Sequence, residues 1–403
     1  MKAVVWHGVG DIRLDDVLEP KIQDPTDAIV RITSSAICGT DLHMIRGTFP
    51  GMEKGTILGH EAVGVVEEVG KGVRNLNVGD RVVVPSTIGC GYCAYCRAGF
   101  YSQCDNANPN GKDAGTAFFG GPKTTGPFDG LQAEYARIPF ANVGLVRLPR
   151  HVTDDQAIML SDIFLTAYQA ATMAEVRRGS TVAVYGCGPV GQFAIASALL
   201  LGAGRVIAVD ANASRLAMAR AQGAEAVNFD EEDPTAVIKE LTGGVGVDCA
   251  IDAVGVDAEH AHHGPAARKA AAEEKTFRRE VEEAAPDAKP RTGWVPGDAP
   301  SQALRWAVET LAKAGTLSVI GVYPPTMESF PIGQAMNKNL RVNMGNCNHR
   351  KYLPQLVQLV ASGAFDPEKV LTQREPITDV LSAYQAFNER RPGWVKVELK
   401  PAA

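Results

Sequence analysis

The sequence lacks an apolar run long enough to cross a bilayer. The longest, residues 193–204, falls short of the roughly 20 residues a spanning helix needs and holds Gln192 on its flank and Ser197 inside. It also lacks a run of Lys and Arg. With 40 basic against 46 acidic side chains the net charge is −6 and the pI is near 5.8, so binding to a phosphate backbone is not expected. Neither nucleic acid nor membrane is therefore an expected partner. The first residues, MKAVVWHGVGDIRL, show no apolar region leading to a small-residue cleavage site, and the cytoplasm is the expected location. No internal repeat is present.

What is there suits a globular chain of two or three domains, at roughly 100–200 residues each. Of the 403 residues, 45% are hydrophobic and 21% charged, which leaves apolar material for more than one core. The first 150 residues hold short β-branched runs (KAVVW, AIVRITSSAIC, AVGVVEEVG, DRVVVPS) separated by Gly, Pro and Asp, the mark of a mostly antiparallel, barrel-like unit. From about residue 160 strands and helices alternate: SDIFLTAYQAATMAEV, STVAVYG, PVGQFAIASALLLGA, RVIAVD, ASRLAMARAQGA, VDCAIDAVG and TLSVIGVYP. That rhythm implies an α/β domain with a parallel sheet covered on both faces. Residues 257–300 interrupt it with a stretch rich in Ala, charge and Pro, read as an exposed insertion with a helix near 266–283. A helix over 352–362 and a strand over 394–399 close the chain.

Four motifs carry chemistry. The eight cysteines are Cys38, Cys90, Cys93, Cys96, Cys104, Cys187, Cys249 and Cys347. Four of them follow Cys90-x2-Cys93-x2-Cys96-x7-Cys104 inside a glycine-rich stretch with little periodicity of its own. Four thiolates at this spacing close a tetrahedral zinc with no position left for substrate, hence a structural ion; an iron–sulfur cluster is the competing reading. The second motif is Ile37-Cys38-Gly39-Thr40-Asp41-Leu42-His43, and the third is Gly59-His60-Glu61-x2-Gly64-x5-Gly70-x2-Val73. Cys38 alone reads as a core cysteine and His60 alone as a hydrogen-bonded core histidine. Together, a Cys, a His and a carboxylate suit an open zinc site.

The fourth motif is Gly186-Cys187-Gly188-Pro189-Val190-Gly191, which follows the run STVAVY and opens an apolar helix, the context a dinucleotide fingerprint requires. Gly186 allows the tight turn, Gly188 the approach of a pyrophosphate, and Gly191 close packing of helix on strand. Asp210 ends the next strand nineteen residues after Gly191, where a carboxylate accepts the ribose hydroxyls and repels a 2′-phosphate. NAD is thus favoured over NADP, with Arg215 acting in the opposite sense. His260, His262 and His263 cluster in the insertion; they are read as a solvated loop, with adventitious metal binding as the lesser alternative.

At these residues the chain resembles the zinc-dependent medium-chain alcohol dehydrogenases. SDIFLTAYQAA and GNCNHRKY make it similar to their formaldehyde dehydrogenase-like branch. The resemblance implies a GroES-like β-barrel catalytic domain over 1–163, with a structural-zinc lobe at 89–105. It implies a Rossmann doubly wound parallel sheet over 164–346 and a return to the catalytic domain over 347–403. Two zinc ions per chain, NAD, and a homo-oligomer (tetramer or dimer) follow from the same likeness. Cys38, His60 and Asp162 would hold the catalytic zinc; Asp162 stands where other members carry Cys, and it also reads as a helix N-cap. Glu61 would sit beside the metal as a further candidate ligand. Thr40 would take the substrate's proton and pass it through the cofactor ribose to His43, which otherwise reads as a surface loop histidine. Lys396 would contact the pyrophosphate, and Ser86, small where some relatives carry an aromatic, would widen the substrate pocket.

The implied activity is hydride transfer between a small-molecule alcohol, or an aldehyde hydrate or adduct, and NAD. A second reading is an aldehyde dismutase with tightly held NAD, motivated by the insertion. A third, of another class, is a non-catalytic nucleotide-binding protein; a missing zinc ligand would be its mark, and Cys38 and His60 are both present. Trp294 and the Pro-rich 286–300 stretch suggest either a cover for the cleft or a subunit contact.

Overall fold

The structure, a computed structural model, describes residues 1–289 and 293–401. The chain divides into two compact units, one of Met1–Leu165, Lys289–Trp294 and Asn346–Ala403, the other of Thr166–Ala288 and Val295–Gly345. Residues 290–292 of the Pro-rich stretch lie outside the described residues.

The first unit is built on β-branched runs that alternate sides. Strands β1 (Lys2–Gly8) and β2 (Asp11–Asp16) form a hairpin. The larger sheet centres on β3 (Ala28–Ile37), which pairs with β4 (Ala62–Val69), β6 (Tyr135–Ile138) and β15 (Val397–Lys400). It continues through β5 (Arg81–Val84) to β7 (Val146–Arg147), and beyond β15 to β14 (Gln373–Pro376). All of these pairings are antiparallel except β14 with β15. Val30, Ile32, Val66, Val82, Val84 and Ile138 fill one core beneath this sheet. Trp294, from the end of the insertion, packs with Trp6, Tyr384 and Phe387 in a second cluster of this unit.

Register is what matters for function. Ile37 faces Val397, Ser35 faces Ala62, and Ala62 faces Val84. The residues just beyond these pairs (Cys38, Lys396, Glu61 and Ser86) are therefore delivered to one end of the sheet. A slip of one residue would turn each to the opposite face.

The second unit is a six-stranded parallel sheet of β8 (Thr181–Tyr185), β9 (Arg205–Asp210), β10 (Glu225–Asn228), β11 (Val247–Asp252), β12 (Leu311–Val319) and β13 (Arg341–Met344). Its order is β10-β9-β8-β11-β12-β13, the doubly wound arrangement in which the chain reverses direction across the sheet at the first strand. The strands are buried on both faces, as their uninterrupted apolar runs require. The insertion forms the helix Gly264–Ala284, whose Ala270 and Phe277 pack against Ala299.

Three boundaries move from expectation. The helix read at 352–362 is His349–Ala361, with Pro354 inside it at the sixth position, where the missing N–H leaves the Arg350 carbonyl without its intrahelical donor. The strand read at 394–399 begins at Val397, because Trp394 N–H turns back to Arg391 O and Thr372 Oγ1 takes the Val395 and Lys396 N–H groups. β12 starts at Leu311, ahead of the TLSVI run, and carries Ala314 at φ 60.

Candidate active site

Cys38 follows β3 and caps the helix Gly39–Arg46, whose third residue, Asp41, accepts the Cys38 N–H at 3.0 Å. The other oxygen of Asp41 lies 3.1 Å from His60 Nδ1. This contact turns the opposite ring nitrogen, Nε2, toward Asp162 Oδ2 at 3.4 Å, and Cys38 Sγ lies 3.7 Å from that same oxygen. Asp162 is placed by its neighbour: Ser161 Oγ takes the Ala62 N–H at 2.9 Å and donates to Val84 O, tying the chain across the ends of β4 and β5. Cys38, His60, Glu61 and Asp162 are all buried, and one ligand atom from each lies within 4.8 Å of the others.

The far oxygen of Asp162 is held separately. His349 Nε2 stands 2.6 Å from Oδ1 and Ser86 Oγ donates to it at 3.2 Å, while Thr87 Oγ1 meets His349 Nδ1 at 2.9 Å. Asp162 thus presents one oxygen inward and has the other fixed. Burial opposes its charge, but His349 and His60 overcome this and hold the carboxyl well below the usual range. Burial likewise works against a charged His349, yet Cys347 and Asp162 pull its pKa up to about 10. His60 is raised well above its ordinary value, since Asp41 and Asp162 outweigh burial.

Glu61 and Lys396 form a wholly buried ion pair. The ammonium lies 2.6 and 2.7 Å from the two carboxylate oxygens and donates to Ile37 O at 3.0 Å. Burial pushes Glu61 up to about 7, against the pull of Lys396. This geometry bears on two residues singled out in the sequence. The Lys396 ammonium, read as a pyrophosphate contact, is spent on Glu61 and a carbonyl within its own unit. Ser86, read as a small residue that widens the substrate pocket, also donates to Asp162 Oδ1. His43, read alternatively as a surface loop residue, is buried in the helix Gly39–Arg46. Thr40, three residues earlier, shares its helix face.

The Cys90, Cys93, Cys96 and Cys104 sulfurs also lie within 4.8 Å of one another. Backbone N–H groups aim at them: Cys90 N at Cys104 Sγ (3.2 Å), Cys93 N at Cys90 Sγ (3.4 Å) and Cys96 N at Cys93 Sγ (3.4 Å). Donors pointed at sulfur favour thiolate. Burial opposes ionisation of Cys93, but the N–H groups of Cys96 and Asp105 bring it down to about 7. Four convergent sulfurs with a shell of donors fit one structural zinc.

In the second unit, Gly186 turns with φ +83, and a Cβ on Gly191 would lie 1.9 Å from Gly186 O. Around Gly188 there is open space: a Cβ there would meet nothing nearer than Arg215 Nη1 at 3.9 Å. Gly188 caps the helix Pro189–Leu200, with Pro189 and Val190 in its first turn. The open backbone at a helix N-terminus is a cradle for an anion. Asp210 Oδ2 accepts the Cys187 N–H at 2.7 Å and Oδ1 the Asn212 N–H at 2.8 Å, with Arg215 Nη1 at 3.9 Å. The loop fits a dinucleotide.

Comparison with known proteins decides the family. The alcohol dehydrogenase GroES-like domain matches residues 24–150 and the zinc-binding dehydrogenase domain residues 189–261. The zinc-type alcohol dehydrogenase-like protein AdhB of Bacillus subtilis is 38% identical over 405 residues, spanning 100% of both chains. The chain belongs to the zinc-type alcohol dehydrogenase family. A glutathione-independent formaldehyde dehydrogenase of Pseudomonas aeruginosa is 41% identical over 275 residues, covering 65% of this chain and 68% of that one. The solved alcohol dehydrogenase TADH from Thermus sp. ATN1 superposes with TM-score 0.80 at 31% identity over 100% of each chain. The protein is thus an oxidoreductase of this family, with the GroES-like and Rossmann-like units such dehydrogenases combine. Among the described residues no helix is long and apolar enough to cross a membrane.

Sequence reasoning missed Asp41 and His349 as members of the site. Asp41 had a local signal, since it stands third in the helix that Cys38 caps. His349 lies in GNCNHRKY, a segment that carries the family likeness, but nothing local ties it to the carboxylate 187 positions away that it holds.

Proposed function

We propose that this protein oxidises alcohols, or reduces the matching aldehydes, by hydride exchange with NAD, and that the buried Cys38–His60–Asp162 cluster is where the substrate oxygen is held. The observation that carries the reading is the convergence of these three side chains with Glu61 within 4.8 Å, with Asp162 held by His349 and Ser86 and Glu61 held by Lys396. A zinc ion held by Cys38, His60 and Asp162 supplies Lewis acidity toward the substrate oxygen, and NAD cradled on Gly186–Gly191 supplies the hydride acceptor.

This chain's own residues do the rest. Asp41 stands beside His60 Nδ1 at 3.1 Å, which leaves Nε2 as the nitrogen that faces Asp162 and would ligate. His349 and Ser86 fix Asp162 by its outer oxygen. Thr40 receives the substrate hydroxyl proton, and His43, on the same face of its helix, is the outlet for it. Lys396 keeps the Glu61 charge compensated, so that Glu61 stands as a reserve carboxylate beside the cluster. Burial of the whole set excludes water. Asp210 favours the unphosphorylated ribose. The protein works as a homo-oligomer, as the family resemblance implies.

The test is NADH absorbance at 340 nm with purified protein, NAD and a panel of short, long, aromatic and polyol alcohols plus formaldehyde. Sustained reduction with one class supports the reading and names the substrate class. A flat response throughout, with no nicotinamide retained after desalting, would overturn it. Aldehyde disproportionation by protein that retains nicotinamide after desalting would instead favour a dismutase.

A further inference from the structure

The insertion leaves the second unit's sheet after β11 and returns before the helix Gln302–Thr310, and its two feet are fastened together. Ala299 N–H donates to Ala258 O at 3.0 Å and Gly297 N–H to Asp257 Oδ1 at 3.3 Å. Gly297 is held so close that a Cβ there would meet Ala258 O at 2.3 Å. Between these contacts the outgoing foot carries His260 and His262, and the returning foot carries Asp298.

The three side chains converge. Asp298 Oδ1 accepts the His260 backbone N–H at 2.9 Å and also lies 2.9 Å from His260 Nδ1; Oδ2 lies 4.0 Å from His262 Nε2. The imidazole rings stand 4.5 Å apart at 62°, and one ligand atom from each residue lies within 4.8 Å of the others. Two nitrogens and an oxygen bound to one tetrahedral zinc at about 2.0 Å lie roughly 3.3 Å apart, inside the spread already present. The backbone is fixed beneath them, since Asp230 Oδ1 accepts the His262 N–H at 2.7 Å. His260 Nδ1 is enclosed yet makes no aligned hydrogen bond, even with Asp298 Oδ1 so near.

We infer that His260, His262 and Asp298 form a third metal site, for a borderline divalent cation such as zinc, which clamps the feet of the insertion. Two imidazoles and one carboxylate are the donor set such ions prefer. The side chains of His262 and Asp298 are about half exposed, so water completes the coordination and the ion exchanges with solvent. The clamp joins positions 38 residues apart, and the binding free energy is added to the stability of the closed insertion. Reading the histidines as a solvated loop followed from the sequence because Asp298 lies on the far side of a 21-residue helix. The site belongs to the second unit, shares no residue with the proposed catalytic cluster and does not depend on that cluster's assignment.

The test uses the full-length enzyme with its tightly bound zinc retained, titrated with Zn²⁺ against a chromophoric chelator and followed by tryptic cleavage within Gly264–Ala284. The expected result is one additional equivalent, and slower cleavage when it is bound. His262→Ala and Asp298→Asn should each weaken that equivalent roughly tenfold or more and abolish the protection, with the tight zinc content and turnover unchanged. Both positions are surface-accessible, so neither change removes core packing. Absence of an extra equivalent, or an equivalent that survives either substitution at full affinity, would overturn the assignment.

Discussion

Replacing His349 by Leu should release zinc from the proposed catalytic cluster while leaving the Cys90–Cys104 lobe loaded. His349 is wholly buried, and leucine fills a similar volume, so cavity formation contributes little. What is lost is the 2.6 Å contact to Asp162 Oδ1. Ser86 Oγ still donates to that oxygen at 3.2 Å. A hydrogen bond to a charged group is worth about 1.5–3 kcal/mol, and each 1.4 kcal/mol is tenfold in affinity. The expected loss in affinity for the catalytic zinc is therefore roughly 10- to 100-fold, the range seen when outer partners of metal ligands are removed. Chelator competition with metal analysis reads this out. Zinc per chain should fall from two toward one at chelator levels the native enzyme withstands. His349→Gln, which keeps a donor, should recover part of the loss. Cobalt substituted at the site should show an altered visible spectrum in the leucine variant, a readout that general loosening would not give. Zinc affinity within twofold of native in His349→Leu would refute the reasoning.

Cys104→Ser should remove one zinc per chain and lower the thermal midpoint by on the order of 5 °C or more, since the lobe has little core of its own; calorimetry with metal analysis checks both. Asp210→Ser should weaken NAD and relieve the discrimination against NADP, by about 10- to 100-fold in the ratio of their kcat/KM values, measured at 340 nm. Lys396→Met should leave Glu61 as a buried uncompensated charge and cost about 3–5 kcal/mol in urea unfolding. Adding Glu61→Gln should recover most of that loss, and KM for NAD should stay near native, because the ammonium is occupied by Glu61.

Much of the fold was legible because its signals are local. RVIAVD is β9 to the residue and the 266–283 helix is Gly264–Ala284, since a buried parallel strand and an Ala-rich helix each declare themselves within their own length. The metal donors were legible by spacing: Cys90, Cys93, Cys96 and Cys104 fall in one short loop. Their neighbours were less so. Lys396 and Ser86 were assigned by analogy to the cofactor and the pocket. The register of β15 on β3 and the end of β5 places them against Glu61 and Asp162. Register is a long-range property that period-two patterning leaves undetermined. His349 and Asp298 were invisible for the same reason, each meeting its partners only once distant segments are packed.

The central claim, that Cys38, His60 and Asp162 carry the chemistry, is tested most directly by Cys38→Ser. NADH formation at 340 nm should be measured beside zinc content, using the alcohol on which the native enzyme turns over fastest. The account predicts a folded variant that keeps its Cys90–Cys104 zinc and loses turnover by at least about a thousandfold. Turnover persisting near the native rate in a variant stripped of the other zinc would contradict it.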